Sequence, residues 1–78
     1  MKVKMLSEMK EKESGTVHEI KGGKNLIDRL NSLGLTNGVK ITVISSMPMK
    51  GPVTVQIGSS TIAIGSGMAQ KILVRVSV

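Results

Sequence analysis

The stretch NLIDRLNSLGLTNG, residues 25–38, decides the architecture predicted for this chain. Asn25 is a favourable N-cap, because its side chain can accept a hydrogen bond from a free backbone N–H of the first turn. The apolar residues after it are spaced to form one stripe of a helix; they are Leu26, Ile27, Leu30 and Leu33. We therefore predict one α-helix over about residues 25–33, which is too short to be stable unless it docks on the rest of the chain.

Two glycines mark the end of this helix and the start of the next strand. Gly34 stands where a residue in the left-handed conformation commonly ends a helix, and Leu35 can supply the hydrophobic contact that accompanies such an end. Asn37-Gly38 then predicts a tight turn. The block from Arg29 to Gly38 thus combines a helix, its end and a turn into a strand.

Short runs of alternating apolar and polar residues make up most of the remaining sequence. They predict five strands, which cover residues 16–20, 39–43, 53–57, 61–64 and 72–76. Short, β-branched strands separated by glycine turns favour a small barrel, because closure removes exposed sheet edges. The predicted fold class is mostly β, a five-stranded barrel with one inserted helix. Residues 8–13 are interpreted as a solvated connection, and residues 65–69 as a break or a single helical turn.

Length and composition restrict the cellular setting. The 78 residues fit a single domain, residues 1–78. The absence of cysteine excludes disulfides and thiolate zinc sites and suits a reducing cytoplasm. No apolar run approaches the ~20 residues that a membrane helix requires, and the first residues lack the long apolar segment of a secretory leader. We expect a cytoplasmic protein without direct membrane insertion.

The charge is strongly positive and unevenly distributed. The formal net charge is +6, and residues 40–78 contain no acidic residue. Such a surface attracts nucleic acid, anionic lipid or an acidic protein face. The chain has no Phe, Tyr or Trp, and these are the residues that stack on single-stranded bases and line proline-binding grooves. Nucleic acid is therefore a disfavoured partner.

No combination of residues indicates catalysis. Gly22-Gly23-Lys24 lacks the other residues of a phosphate-binding P-loop, and no nucleophile is paired with a base. We predict that the chain is not an enzyme and requires no cofactor. His18 and Glu19 are weak candidates for holding Fe(II) or Zn(II), because neighbouring strand residues point to opposite faces. Met47 and Met49 have the spacing of a copper(I) pair, but methionine is more often core filler.

Read in order, several motifs closely resemble the FeoA family of ferrous iron transport proteins. The resemblance covers nearly the whole chain, and its most specific part is the R-L-x-x-L-G-L-x-x-G block at residues 29–38. The residues that carry the structural motif are Gly23, Leu30, Leu33, Gly34, Leu35, Gly38, Gly51 and Pro52. The resemblance extends to the C-terminal domain of DtxR-type metal-dependent repressors.

The resemblance implies an SH3-like barrel that acts in the cytoplasm as an accessory partner of the FeoB membrane transporter, through the cytosolic GTPase-containing part of FeoB. The candidate contact residues lie on the exposed edge of the helix and in the loop after the second predicted strand; they are Leu26, Arg29, Met47, Met49 and Lys50. Two alternatives stay open. One is an Fe(II)- or Zn(II)-binding module that acts as a homo-oligomer or adaptor, and the other is a basic nucleic-acid-binding barrel.

Overall fold

The computed structural model describes residues 2–47 and 51–76. Within these residues the chain forms one sheet of six strands in the order β1-β6-β2-β3-β4-β5, and all neighbours are antiparallel. The strands are β1 (Lys2–Met5), β2 (Ser14–Ile20), β3 (Lys40–Ser46), β4 (Val53–Ile57), β5 (Ser60–Ile64) and β6 (Ile72–Val76). The helices are a 3-10 turn at Leu6–Glu8, α1 (Lys24–Ser32) and the single-turn α2 (Ser66–Ala69).

The predicted mostly β fold with one inserted helix is confirmed, but the strand count of five is wrong. The additional strand is β1, which pairs with β6 from Lys2 opposite Val76 to Met5 opposite Leu73. Its four residues contain two lysines, which are common on edge strands because they discourage pairing with other chains. Because of these lysines, the pattern of apolar and polar residues does not predict the strand.

The core lies inside the curved sheet and follows the alternation of each strand. In β6, Ile72, Val74 and Val76 are buried, whereas Arg75 between them is exposed. The remaining buried side chains are Leu6, Met9, Val17, Ile20, Leu30, Leu35, Ile41, Val43, Val53, Val55, Ile64 and Ala69. Each large aliphatic residue among them stabilises the fold by about 1.5–3 kcal/mol relative to full exposure.

Residues 8–13 form the predicted connection, with Glu8, Lys10, Glu11 and Lys12 exposed, but contacts with the fold fix Met9 and Glu13. Met9 is only 2% exposed, and the carboxylate of Glu13 accepts from Lys4 Nζ at 3.0 and 3.1 Å and from the backbone N–H of Lys10 at 3.0 Å. The Lys10 N–H and the Lys4 ammonium both lower the pKa of Glu13. The segment also exchanges backbone hydrogen bonds with Val43 of β3. Residues 8–13 therefore connect β1 to β3 through an ion pair on one side and backbone hydrogen bonds on the other.

Helix α1 begins earlier than the sequence predicts. Gly23 is its N-cap, no side chain caps it, and Asn25 is its second residue. The prediction of Asn25 as the N-cap is therefore wrong. The first intrahelical hydrogen bond runs from Ile27 N–H to the Gly23 carbonyl at 3.1 Å. The turn into the helix is made by backbone conformation, since Gly22 has φ +140°.

The end of α1 is a Schellman motif, which confirms the predicted glycine end. Leu35 N–H donates to the Leu30 carbonyl and Gly34 N–H donates to the Asn31 carbonyl, each at 3.0 Å. Gly34 has φ +101°, and Gly38 in the following turn has φ +91°. Leu35 is fully buried, so the motif turns the chain back into the core before β3.

Candidate partner-binding surface

One side of α1 carries three residues that the core does not cover fully. Leu26, Arg29 and Leu33 lie at i, i+3 and i+7, so they form one stripe, which we call the helix edge. Leu26 is half-buried and packs against the core, Arg29 is exposed, and Leu33 is 45% exposed. Leu30, between them in sequence, is completely buried. The helix edge thus combines two leucines with a guanidinium group.

Leu33 belongs to the apolar stripe predicted for the helix, but it lies at the exposed end of that stripe. The helix ends at Ser32, and Leu33 is the C-cap. Because the Schellman motif makes Leu35 the residue that returns to the core, Leu33 is left at the surface. The signal was present in the sequence: a leucine directly before the left-handed glycine is followed by a second leucine that can take its buried place.

The backbone at Gly22 holds Leu26 in position. A Cβ atom added to Gly22 would lie 2.7 Å from Leu26 Cδ2, which is closer than carbon atoms approach each other. Gly22 also has the positive φ of +140° that side chains rarely adopt. Gly22 therefore leaves room for Leu26, the first leucine of the helix edge, and a larger residue at position 22 would displace it.

The loop after β3 presents a second apolar surface. Met47 is 57% exposed, and its N–H faces the Pro52 carbonyl at 3.4 Å. Ile44 is 43% exposed, as alternation with the buried Ile41 and Val43 requires, and the register of β3 and β4 shifts between Val43 and Ser45. Sequence alternation does not reveal such a bulge. The other two loop candidates, Met49 and Lys50, lie outside the described residues.

The helix edge and the loop are separate surfaces. Gly34, next to Leu33, lies near Ile57 at the end of β4, since an added Cβ would be 3.8 Å from Ile57 Cγ2. Met47 follows Ser46, which pairs with Val53 at the opposite end of β4. The length of β4 is roughly 13 Å at 3.3 Å per residue. Among the candidates that the structure describes, Leu26 and Arg29 therefore lie on a different patch from Met47.

The structure also locates the two metal candidates. Both His18 and Glu19 are exposed, because the register of β2 and β6 shifts between Val17 and Glu19. The expectation that these neighbours point to opposite faces is wrong at this bulge. Among the described residues, no group of three or more His, Cys, Asp or Glu side chains is placed to hold a metal ion.

In the part of the chain that the structure describes, no helix is long and apolar enough to cross a membrane. Solved structures resemble this fold closely. The crystal structure of an iron uptake regulatory protein, FeoA, matches with a TM-score of 0.89 at 42% identity, over 95% of this chain and 97% of that one. A manganese-dependent transcriptional repressor matches with a TM-score of 0.86 at 27% identity, over 97% of this chain but 42% of the repressor.

The fold is therefore an SH3-like barrel of the kind found in these proteins, as the resemblance implied. A sequence comparison adds a candidate Fe(2+) transport protein A of Methanocaldococcus jannaschii, which is 42% identical over 65 residues, 83% of this chain and 77% of that protein. The profile of the FeoA domain matches residues 4–76. The chain belongs to the FeoA domain family.

Proposed function

We propose that this protein is a cytoplasmic accessory protein of ferrous iron transport that binds the cytosolic GTPase-containing part of the FeoB transporter. It acts as a single domain, residues 1–78, and works by binding and not by catalysing a reaction. Support comes from its membership of the FeoA domain family and from the description of its relatives as iron uptake and Fe(2+) transport proteins.

The observation that carries this proposal is the exposure of Leu33 beside Leu26 and Arg29 on a helix whose other side is docked in the core. Protein interfaces characteristically bury apolar and arginine side chains at their centre, while the rim stays polar. Lys24 and Asp28 form an exposed ion pair at 2.9 Å on the same helix and can provide such a rim. The helix edge is therefore the proposed contact surface.

A calorimetric titration of this protein into the purified cytosolic part of FeoB tests the proposal. Leu33→Asp is expected to weaken binding by at least about tenfold, because a carboxylate would be desolvated at the interface centre. Val3→Asp is the matched control, since Val3 on β1 is 44% exposed and Leu33 is 45% exposed. Thermal unfolding of both variants checks that the fold survives.

Equal effects of the two substitutions would show that the helix edge is not the specific contact. Saturable binding that persists at physiological salt would indicate a packed interface, because exposed charges are screened beyond ~8 Å under those conditions. Absence of binding at both low and physiological salt would contradict the proposal as a whole.

A second candidate function is Fe(II) or Zn(II) binding at His18 and Glu19. The bulge in β2 favours it, because both side chains are exposed where alternation would separate them. One imidazole and one carboxylate form an incomplete zinc site, so a second copy of the chain would have to complete the ligand set. Sedimentation of the parent and of His18→Ala, each with and without Zn(II), tests this. Association of the parent that depends on Zn(II) and that His18→Ala loses would support the site. The same Zn(II)-dependent association in both proteins would refute it.

A further inference from the structure

The sheet has two terminal strands, and they differ in how their free edges are protected. β1 and β5 occupy the ends of the strand order in the part of the chain that the structure describes. A terminal strand offers unpaired N–H and C=O groups on which another strand can pair. The chemistry of each edge decides whether pairing is favoured.

The edge of β5 presents the backbone groups of Thr61 and Ala63. A two-residue turn joins β4 to β5, and Ile57 opposite Ser60 is the pair that closes it. Because antiparallel pairs alternate between hydrogen-bonded and non-hydrogen-bonded, Thr61 and Ala63 direct their N–H and C=O groups away from β4. Both residues are exposed, and among the described residues no backbone bond from another segment reaches them.

The β1 edge is protected, whereas the β5 edge is not. β1 carries Lys2 and Lys4, and its Met5 N–H already donates to Glu8 Oε1 at 3.1 Å. β5 has the sequence Ser-Thr-Ile-Ala-Ile, which contains no charged residue and no proline, and its register with β4 is continuous. Charges, proline and bulges are the features by which natural sheets block edge pairing.

The positive charge of the chain indicates which kind of strand would pair with the β5 edge. A second copy would bring a further net charge of +6 to an edge of only five residues, which is far too short to bury the roughly 1,200 Å² of a stable interface. An acidic strand would instead be attracted, since residues 40–78 carry cations and no acid. We propose that the β5 edge binds an extended, acidic segment of a partner protein, which adds a strand beside Thr61 and Ala63.

A pair of synthetic peptides tests this inference without FeoB. One capped peptide alternates Thr and Val between two glutamates at each end, and the other has lysines in place of the glutamates. Titration of ¹⁵N-labelled protein is expected to shift the amide resonances of Thr61 and Ala63 most. The glutamate peptide is expected to bind at least about tenfold more tightly at low salt, with a smaller ratio at physiological salt.

Two variants at one position identify the edge. Ala63→Pro removes the outward N–H without removing a hydrogen bond to β4, so it should abolish binding of the glutamate peptide. Ala63→Glu keeps the backbone donor but adds a repelling charge, and it should weaken binding several-fold even if the proline variant folds poorly. Ala63→Val is the control and should bind within about twofold of the parent, because it keeps both the donor and a β-favouring side chain.

Shifts centred on β1 or α1, equal affinity for the two peptides, or unchanged binding by Ala63→Glu would each overturn the inference. Concentration-dependent sedimentation of the free protein that Ala63→Glu abolishes would also overturn it, because the edge would then belong to a second copy. The peptide titrations contain no FeoB, so this inference and the FeoB proposal can fail separately.

Discussion

Replacing Gly34 by L-alanine would isolate the cost of a backbone conformation from the cost of a steric clash. The φ of Gly34 is +101°, and the nearest atom to an added Cβ is Ile57 Cγ2 at 3.8 Å, an ordinary contact distance. The added methyl group therefore meets no obstacle, and the expected penalty comes from the positive φ alone. For L-residues that penalty is about 1–2 kcal/mol per residue.

A smaller gain opposes this penalty, because alanine restricts the unfolded chain more than glycine does, by about 0.4–1 kcal/mol. The net loss in the free energy of unfolding is then about 1 kcal/mol, which lowers the midpoint of thermal unfolding by about 4–8 °C in a domain of this size. Far-ultraviolet circular dichroism during heating and urea titration would measure both quantities.

Gly23→Ala is the matched control. Gly23 precedes the same helix, has φ −77°, and has no atom within 4 Å of an added Cβ. Alanine is a poorer N-cap than glycine, but it also restricts the unfolded chain by about 0.4–1 kcal/mol, so the replacement should change the stability by less than about 0.5 kcal/mol. A chemically synthesised chain with D-alanine at position 34 should be at least as stable as the parent. Equal losses for D- and L-alanine at position 34, or for Gly34→Ala and Gly23→Ala, would refute the reasoning.

Three further predictions use other parts of the fold. Gly15→Ala should cost about 1–3 kcal/mol by overpacking, because an added Cβ would lie 2.6 Å from the Arg75 carbonyl oxygen; a urea titration that shows no loss would contradict this close approach of β2 and β6. Leu30→Ala should cost about 2–5 kcal/mol because the side chain is completely buried. Leu33→Ala should cost far less, and similar losses in calorimetry would mean that their burial is misassigned. Folding lowers the pKa of the Glu13 carboxyl group, so the ionised carboxylate stabilises the folded protein. This contribution is complete above the ordinary pKa of 4.5 and is lost as the pH falls through the lower pKa of the folded state. The stability difference between the parent and Glu13→Gln should therefore shrink in acid, and a difference independent of pH would exclude this contribution.

The parts of the fold that depend on local sequence could be predicted. The stripe of α1 and its glycine end are encoded within about ten consecutive residues, and both were identified. β1 was missed because four residues with two lysines give little periodic signal, and its partner β6 lies at the other end of the described chain. The bulges at His18 and Ile44 were missed for a similar reason: the register of two distant segments determines them, and neither segment shows it alone.

The candidate surface was predicted less completely than the fold. Leu26 and Arg29 are predicted on the exposed edge of the helix, but Leu33 is placed only in the apolar stripe, because a repeating stripe does not show where a helix ends. The partner itself follows from no physical property of the surface. Apolar and basic side chains favour a partner of some kind, whereas FeoB is proposed from membership of the family alone.

The position of β6 affects the order in which the fold can form during synthesis. β6 follows the other described strands in sequence, yet it lies between β1 and β2 in the sheet. The first strand therefore has no neighbour to pair with until residues 72–76 have left the ribosome, and Val17 and Gly15 stay without their partners in β6 for the same time. Strands β2 to β5 pair with their neighbours in sequence and can form before β6 is synthesised, whereas β1 joins the sheet only through β6.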